Sequence, residues 1–506
     1  MAGTVTAFVV GAAAWLQSTL NGQLPFFSTP QVSNIAAHLA PLLSSNASVF
    51  TLGSSGFEEA TARWQPWQSP SIDLIVKVVT EADIEHSIRV ANEHGKPFLA
   101  VSGGHGGTKG LSYVRDGLSM WMRGMTSVEI AEDGRSATVG GGILSGELAE
   151  AFSRAGKQSV VGARYCTGAV APMLGGGHGW LQGRYDLMAD NLISARLTLA
   201  NATTITVSET SHQVLFWAVR GAGQNYGVVS SFEYKIYDKT PENEKWTYEV
   251  LTFRQHQLED VYRVANTMIG GKDRTQPVEL IHFTLWMRNP EVDPANRVIM
   301  FYLIYQGSSI PTKYTQPLHD LDPISATPPT TTDLLDVSDA VLVGKESPFC
   351  AHSDTLAMQR WPVSLESYEP ISALRQTFEK LESLPPPYDN SAIILEAYSP
   401  HGVQAVPDET TAFADRGGNI LVSPFIMYPF SDRAVDVQGE EYGKELRDIF
   451  VNASGKPLNA YVNYASGFES QEELYGHETW RLGKLRRLKR EYDPDNSFGY
   501  YVGIET

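Results

Sequence analysis

The stretch from Ile72 to Val79 is a β-branched apolar run interrupted by charge only at Asp73 and Lys77, which predicts a strand. Thr80, with Asp83 three residues on, forms a capping-box start for a helix that ends at His94-Gly95. Pro97 to Val101 then predicts a short buried strand, completing a βαβ unit. Leu118 to Met122, Ser127 to Ile130 and Ala137 to Val139 predict further strands between Gly and Asp turns. Leu148 to Phe152 lies in a helix closed by Gly156. Short strands mixed with helices predict an α+β fold. Beyond Tyr237 glycine thins and prolines cluster at Pro323 to Pro329 and at Pro385-Pro386-Pro387. The expected division is 1–240, 241–435 and 436–506, with no internal repeat. Leu474 to Glu491 predicts one helix whose end carries Lys484, Arg486, Arg487, Lys489 and Arg490. That end reads as a solvated cationic face complementing the helix dipole, in preference to a phosphate-binding patch.

Composition narrows the class. Among 506 residues, 42% are hydrophobic and 19% charged, which is globular and excludes a disordered chain. A net charge of −18 argues against a nucleic-acid partner. Cys166 and Cys350 permit one bridge at most and have no zinc-site spacing, so no metal is expected. No Lys, Arg, Asp or Glu precedes Glu58. The apolar run Ala7 to Leu16 is too short to span a membrane, and it lacks the basic flank of a signal peptide. An amphipathic helix that stays on the chain, and an intracellular location over a secreted one, are the resulting expectations.

Glycine is the unusual feature. Gly103-Gly104-His105-Gly106-Gly107, Gly175-Gly176-Gly177-His178-Gly179 and Gly221-Ala222-Gly223-Gln224-Asn225-Tyr226-Gly227 form three groups. Such groups can turn backbone N–H donors toward one point and hold a diphosphate without lysines; tight turns in a strand-rich region are the alternative. No group is followed by Lys-Ser or Lys-Thr, which excludes a P-loop, and the third spacing is GxGxxxG rather than the dinucleotide fingerprint. Serine-hydrolase GxSxG and metalloprotease HExxH are absent.

The ordered motifs are Val101-Ser102-Gly103-Gly104-His105, then Leu174 to Tyr185 running into Asp190-Asn191, then Phe216 to Gly223, Tyr461-Val462-Asn463-Tyr464 and Tyr492 to Asn496. Together they resemble the berberine-bridge-enzyme-like branch of the vanillyl-alcohol-oxidase flavoproteins, in particular fungal FAD-linked oxidoreductases. The resemblance is dense over 60–240, good over 390–506 and little more than length between them. It implies a PCMH-type FAD domain of two α+β subdomains (core about 66–240), completed by 436–506, and a substrate domain with an antiparallel sheet flanked by helices. It implies FAD joined through its 8α carbon to His105. The backbone and side chains of Val101, Ser102, Gly103, Gly104, Gly106, Gly107, Arg164, Cys166, Gly168, Gly175, Gly176, Gly177, Gly179 and Asn463 would line the cofactor. Many relatives bond flavin C6 to a cysteine 11 residues before the first glycine of the GGG group, and Arg164 stands there. Cys166, two residues later, could reach the flavin by a local shift; the single histidyl link is the expectation, with Cys166 a free, small buried residue.

The implied reaction sends a hydride from a C–H bond of a small organic substrate, a specialised metabolite, to flavin N5, with dioxygen as acceptor. Tyr464 is the base that the resemblance offers; on a regular strand Tyr461 and Tyr464 would face opposite sides, so one of them reaches substrate. Packing tyrosines are the alternative. Ser466 stands where an Asp is common. Glu396 ends the apolar run Ile393 to Leu395, and the resemblance puts it on the strand nearest the flavin. Burial there would raise its pKa toward neutrality; a strand-end carboxylate in water is the competing reading. Carbohydrate oxidation and a non-redox isomerisation or cyclisation remain as other reactions for the same site.

Overall fold

The structure is a computed structural model that describes residues 30–273, 275–418 and 420–505. The Ala7 to Leu16 segment lies outside these residues. Thr80 and Asp83 do make the capping box, and the helix Glu81–Glu93 follows. Its Ile84, Ile88 and Ala91 pack on Leu74, Val76, Leu118 and Met120 of the first sheet. That four-stranded sheet runs in the order Ser48–Thr51, Ile72–Lys77, Gly117–Trp121, Phe98–Val101. The βαβ unit therefore has Gly117–Trp121 inserted between its strands, parallel to both. A second, antiparallel sheet of five strands holds Val228–Lys235 at its centre, between Ser136–Gly140 and Leu192–Thr198.

The third sheet has nine strands, and its main path places Trp246–Arg254, Asp293–Gln306, Leu280–Asn289, Ala392–Ala397, Ile420–Pro429 and Leu356–Arg360 side by side. One face is covered by helices Leu258–Met268, Ile371–Glu382 and Arg433–Ser454. Strand alternation then decides where the chemistry sits. Ile393 and Leu395 enter the core beneath these helices. Ile394 faces the other way, against Trp64, Met358 and Phe425. Glu396 shares the Ile394 face by the same alternation and pairs with Leu421 and Phe283 on the flanking strands.

The C-terminal helix differs from expectation. It breaks at Gly476, φ +98°, into Gln471–Tyr475 and Thr479–Tyr492. Arg487 and Arg490 are exposed, as expected of a solvated face, but Lys489 is not. Lys489 is fully buried and donates to Asp493 Oδ2 at 2.6 Å and to the Asn225 carbonyl at 3.0 Å. Asp493 also accepts from the backbone N–H groups of Ser497 and Phe498. Lys489 therefore anchors the C-terminal segment against the loop at Asn225.

Candidate active site

The three glycine groups separate once their backbone bonds are traced. In the second, Gly175 and Gly176 donate to Pro172 and Met173 carbonyls, His178 N–H to Tyr461 Oη and Gly179 N–H to Gln182 Oε1. A Cβ on Gly175 would lie 2.3 Å from Asn463 Oδ1, and one on Gly176 2.3 Å from the Phe413 ring. In the third, a Cβ on Gly221 would meet Phe413 N at 2.2 Å. Close chain packing explains these glycines, which corrects the reading of three anion nests. The first group behaves otherwise. From Gly103 to Gly107 no backbone N–H donates to any described residue. Five successive free donors in an irregular loop are chemically suited to phosphate oxygens. The loop is held from behind: Ser102 Oγ donates to the Gly142 carbonyl at 2.7 Å, and a Cβ on Gly103 would meet the Cys166 carbonyl at 2.2 Å. Val101 ends the strand that delivers it. Gly168, bridged to Leu144, leaves Ser102 no room for a side chain opposite. Arg63 donates to the Gly106 carbonyl at 2.5 Å, placing a cation at the same loop.

His105 projects from this loop. Both of its ring nitrogens are buried without a hydrogen-bond partner, and Trp64 stacks on it at 5.5 Å. Burial first, and then the charges of Arg164, His352 and Arg63, push its pKa down to about 3. The imidazole is therefore neutral at physiological pH. An orphaned neutral imidazole beside a row of free N–H donors fits FAD, which brings both a diphosphate and a ring to be bonded.

Cys166 is not free. Its Sγ is bonded to Cys350 across 184 residues, with Cα atoms 5.6 Å apart. The expected free thiol and the second flavin link through Cys166 are both corrected, because the sulfur is already committed. Arg164, two residues earlier, lies between the rings of Trp64 (5.3 Å) and Phe349 (5.5 Å).

Glu396 is only 8% exposed, so the solvated-carboxylate reading fails. Its Oε1 accepts from Tyr464 Oη at 2.9 Å and its Oε2 from Tyr398 Oη at 2.6 Å. Val462–Tyr464 is a 3₁₀ turn, not a strand, so residues three apart fall on one side. Tyr461 and Tyr464 accordingly meet at 4.9 Å instead of facing apart. The Tyr461 hydroxyl accepts from His178 N–H and from Asn463 Nδ2, and Asn463 also donates to the Pro172 carbonyl. Burial first, and then Glu396, hold the Tyr464 phenol well above its ordinary pKa, while the Arg360 guanidinium, 3.3 Å from its ring centre, opposes them. Arg360 is fixed by Ser466, whose Oγ accepts from its N–H at 3.0 Å and donates to its carbonyl at 2.6 Å. Ser466 thus supports a cation where the resemblance suggested an acid. Trp64, Arg360, Phe349 and Tyr398 lie outside every motif in the sequence. Only Tyr398, two residues after Glu396 and so on the same strand face, had a signal that could have found it.

Among the described residues, no cluster of His, Cys, Asp or Glu is arranged to hold a metal ion, and no helix is long and apolar enough to cross a membrane. Residues 72–208 match the FAD binding domain family, and residues 460–505 the family described as berberine and berberine like. An FAD-linked oxidoreductase of Penicillium rubens, chyH, is 36% identical over 98% of this chain and 99% of its own length. Another from Gibberella zeae, chry5, is 35% identical over 92% and 94%. Among solved structures, the berberine-bridge-like 1 protein of Physcomitrella patens superposes with a TM-score of 0.76 at 20% identity, covering 93% of this chain and 99% of that one. A xylooligosaccharide oxidase from Myceliophthora thermophila gives 0.77 at 22% identity, covering 94% and 99%. With the free glycine donors, the orphaned His105 and the fold all in agreement, the chain belongs to the berberine-bridge-enzyme-like FAD-linked oxidoreductases.

Proposed function

We propose that the protein is a covalent-FAD oxidase of a small organic molecule, a specialised metabolite, in which Tyr464 and Glu396 remove the substrate proton. The observation that carries this reading is the buried hydrogen bond from Tyr464 to Glu396, on the sheet face whose Ile394 packs on Trp64, the ring stacked on His105. Burial holds Tyr464 protonated at neutral pH, so it can accept a proton from a substrate O–H or N–H only while passing its own to Glu396. Tyr398 donates to the other carboxylate oxygen and fixes the carboxylate plane. Arg360, stacked on the Tyr464 ring, favours negative charge appearing there. Tyr461 and Asn463 tie this turn to the loop at His178 and set its position. When bound, FAD supplies the two-electron acceptor, with dioxygen as the final oxidant. The Gly103–Gly107 donors would hold its diphosphate and a neutral His105 ring nitrogen its 8α carbon; Cys166, bonded to Cys350, has no part in attachment.

Peroxide release and anaerobic bleaching of the flavin, screened over aromatic alcohols, amines and sugars, test the reaction class. Glu396→Gln and Tyr464→Phe should each lower turnover by roughly 10²–10⁴-fold with FAD content unchanged. Near-normal turnover in both variants contradicts the relay. Turnover without peroxide or bleaching assigns the pair to isomerisation or cyclisation.

A further inference from the structure

Among the described residues, the fully buried arginines each find acceptors. Arg416 grips Asp190 with two hydrogen bonds of 3.0 and 2.8 Å. Arg297 faces Glu382 and donates to the Ser391, Leu381 and Asp389 carbonyls. Arg481 donates to the Asp408 and Thr411 carbonyls, and Arg447 to Glu469. Two half-buried arginines beside Glu396, Arg164 and Arg360, are placed differently. The Arg164 guanidinium stacks on the Trp64 and Phe349 rings, and no described residue accepts a hydrogen bond from it. Arg360 directs one N–H to Ser423 Oγ at 3.3 Å and lies on Phe425 and Tyr464, with no carboxylate partner among the described residues. The two cations repel each other, and the one nearby carboxylate, Glu396, has both oxygens taken by phenols.

Two neighbouring guanidiniums that repel each other and have no carboxylate partner among the described residues favour an added anion, and a planar carboxylate is the group that their donor forks match. Aromatic rings pack against both guanidiniums: Trp64 and Phe349 against Arg164, Phe425 and Tyr464 against Arg360. We propose that the substrate is an aromatic organic acid whose carboxylate is bound between Arg164 and Arg360. This names the substrate class of the oxidase reading above and rests on it. A protein of net charge −18 repels such an anion at long range, so recognition has to come from these local donors.

The test titrates purified holoenzyme with benzoate and with its neutral isostere benzamide, and then with acetate and acetamide, following the flavin absorbance. The anion should bind at least ~10-fold more tightly than its amide, and Arg164→Gln should weaken benzoate by roughly 10–100-fold while leaving benzamide unaffected. Arg164→Lys, which keeps the charge and loses the fork, should fall between. The ligand-free reduction potential of the flavin should be the same in Arg164→Gln and wild type. A changed potential with the benzoate preference intact would assign Arg164 to the flavin and overturn the proposal. Equal binding of acids and amides to the wild type, which needs no variant, would overturn it too. Peroxide formation from a neutral substrate in that case would leave the oxidase reading standing on its own.

Discussion

His282 stands on the strand Leu280–Asn289 with no exposure, stacked on Phe301 at 5.2 Å and bonded through Nε2 to Tyr368 Oη at 2.9 Å. Burial alone pushes its pKa from the ordinary 6.5 down to about 3. Above pH 6.5 the ring is neutral folded or unfolded. As pH falls from 6.5 toward 3, the unfolded chain takes up a proton that the native state refuses, so stability drops by up to ~1.4 kcal/mol per pH unit. Urea melts of His282→Gln between pH 6.5 and 4 should show a shallower pH slope than wild type by about that amount; an unchanged slope contradicts the assignment. At this scale the burial of Glu396 was legible from its place at the end of an apolar run. The Tyr461–Tyr464 pair was misread because a 3₁₀ turn and a short strand share the same residue types and differ only in the period that places side chains. Arg164 and Arg360 were illegible as a pair, since residues 196 positions apart meet only through the fold.

The helix Glu81–Glu93 shows what local signals do deliver: a capping box at Thr80, an apolar stripe and a glycine stop gave its ends to within a residue or two. The large sheet shows the opposite. Leu280–Asn289 is covered on both sides, so its residues form a nearly continuous apolar run without the alternation that reveals a face. Its pairing to Ala392–Ala397 is set by partners more than a hundred residues away. At the C-terminal helix Thr479–Tyr492, Lys489 and Asp493 are an i,i+4 pair with no exposure on either side chain. Burial lowers the Lys489 pKa, and Asp493 draws it back. Removing the cation strands a buried carboxylate, so Lys489→Met should cost about 3–5 kcal/mol. Chemical denaturation of Lys489→Met and of the double variant Lys489→Met/Asp493→Asn measures this. The double variant should recover part of the loss; a single variant as stable as wild type contradicts the anchor.

Across the whole molecule, the Cys166–Cys350 bridge joins the segment behind the Gly103 loop to the loop carrying Phe349 and His352. Closing 184 residues of chain restricts the unfolded state, which is worth about 2–4 kcal/mol. Cys350→Ser, or reduction of the wild type, should lower Tm correspondingly while leaving flavin bound, because His105 and the glycine donors lie on the other partner of the bridge. An unchanged Tm would mean that the bridge contributes nothing. The same sulfur bears on the central claim, that one histidine alone carries the flavin. Acid-denatured protein digested without reductant should give a single yellow peptide containing His105, and a separate, colourless Cys166–Cys350 peptide pair. Flavin released into the supernatant, or a flavin peptide containing Cys166, would contradict the account.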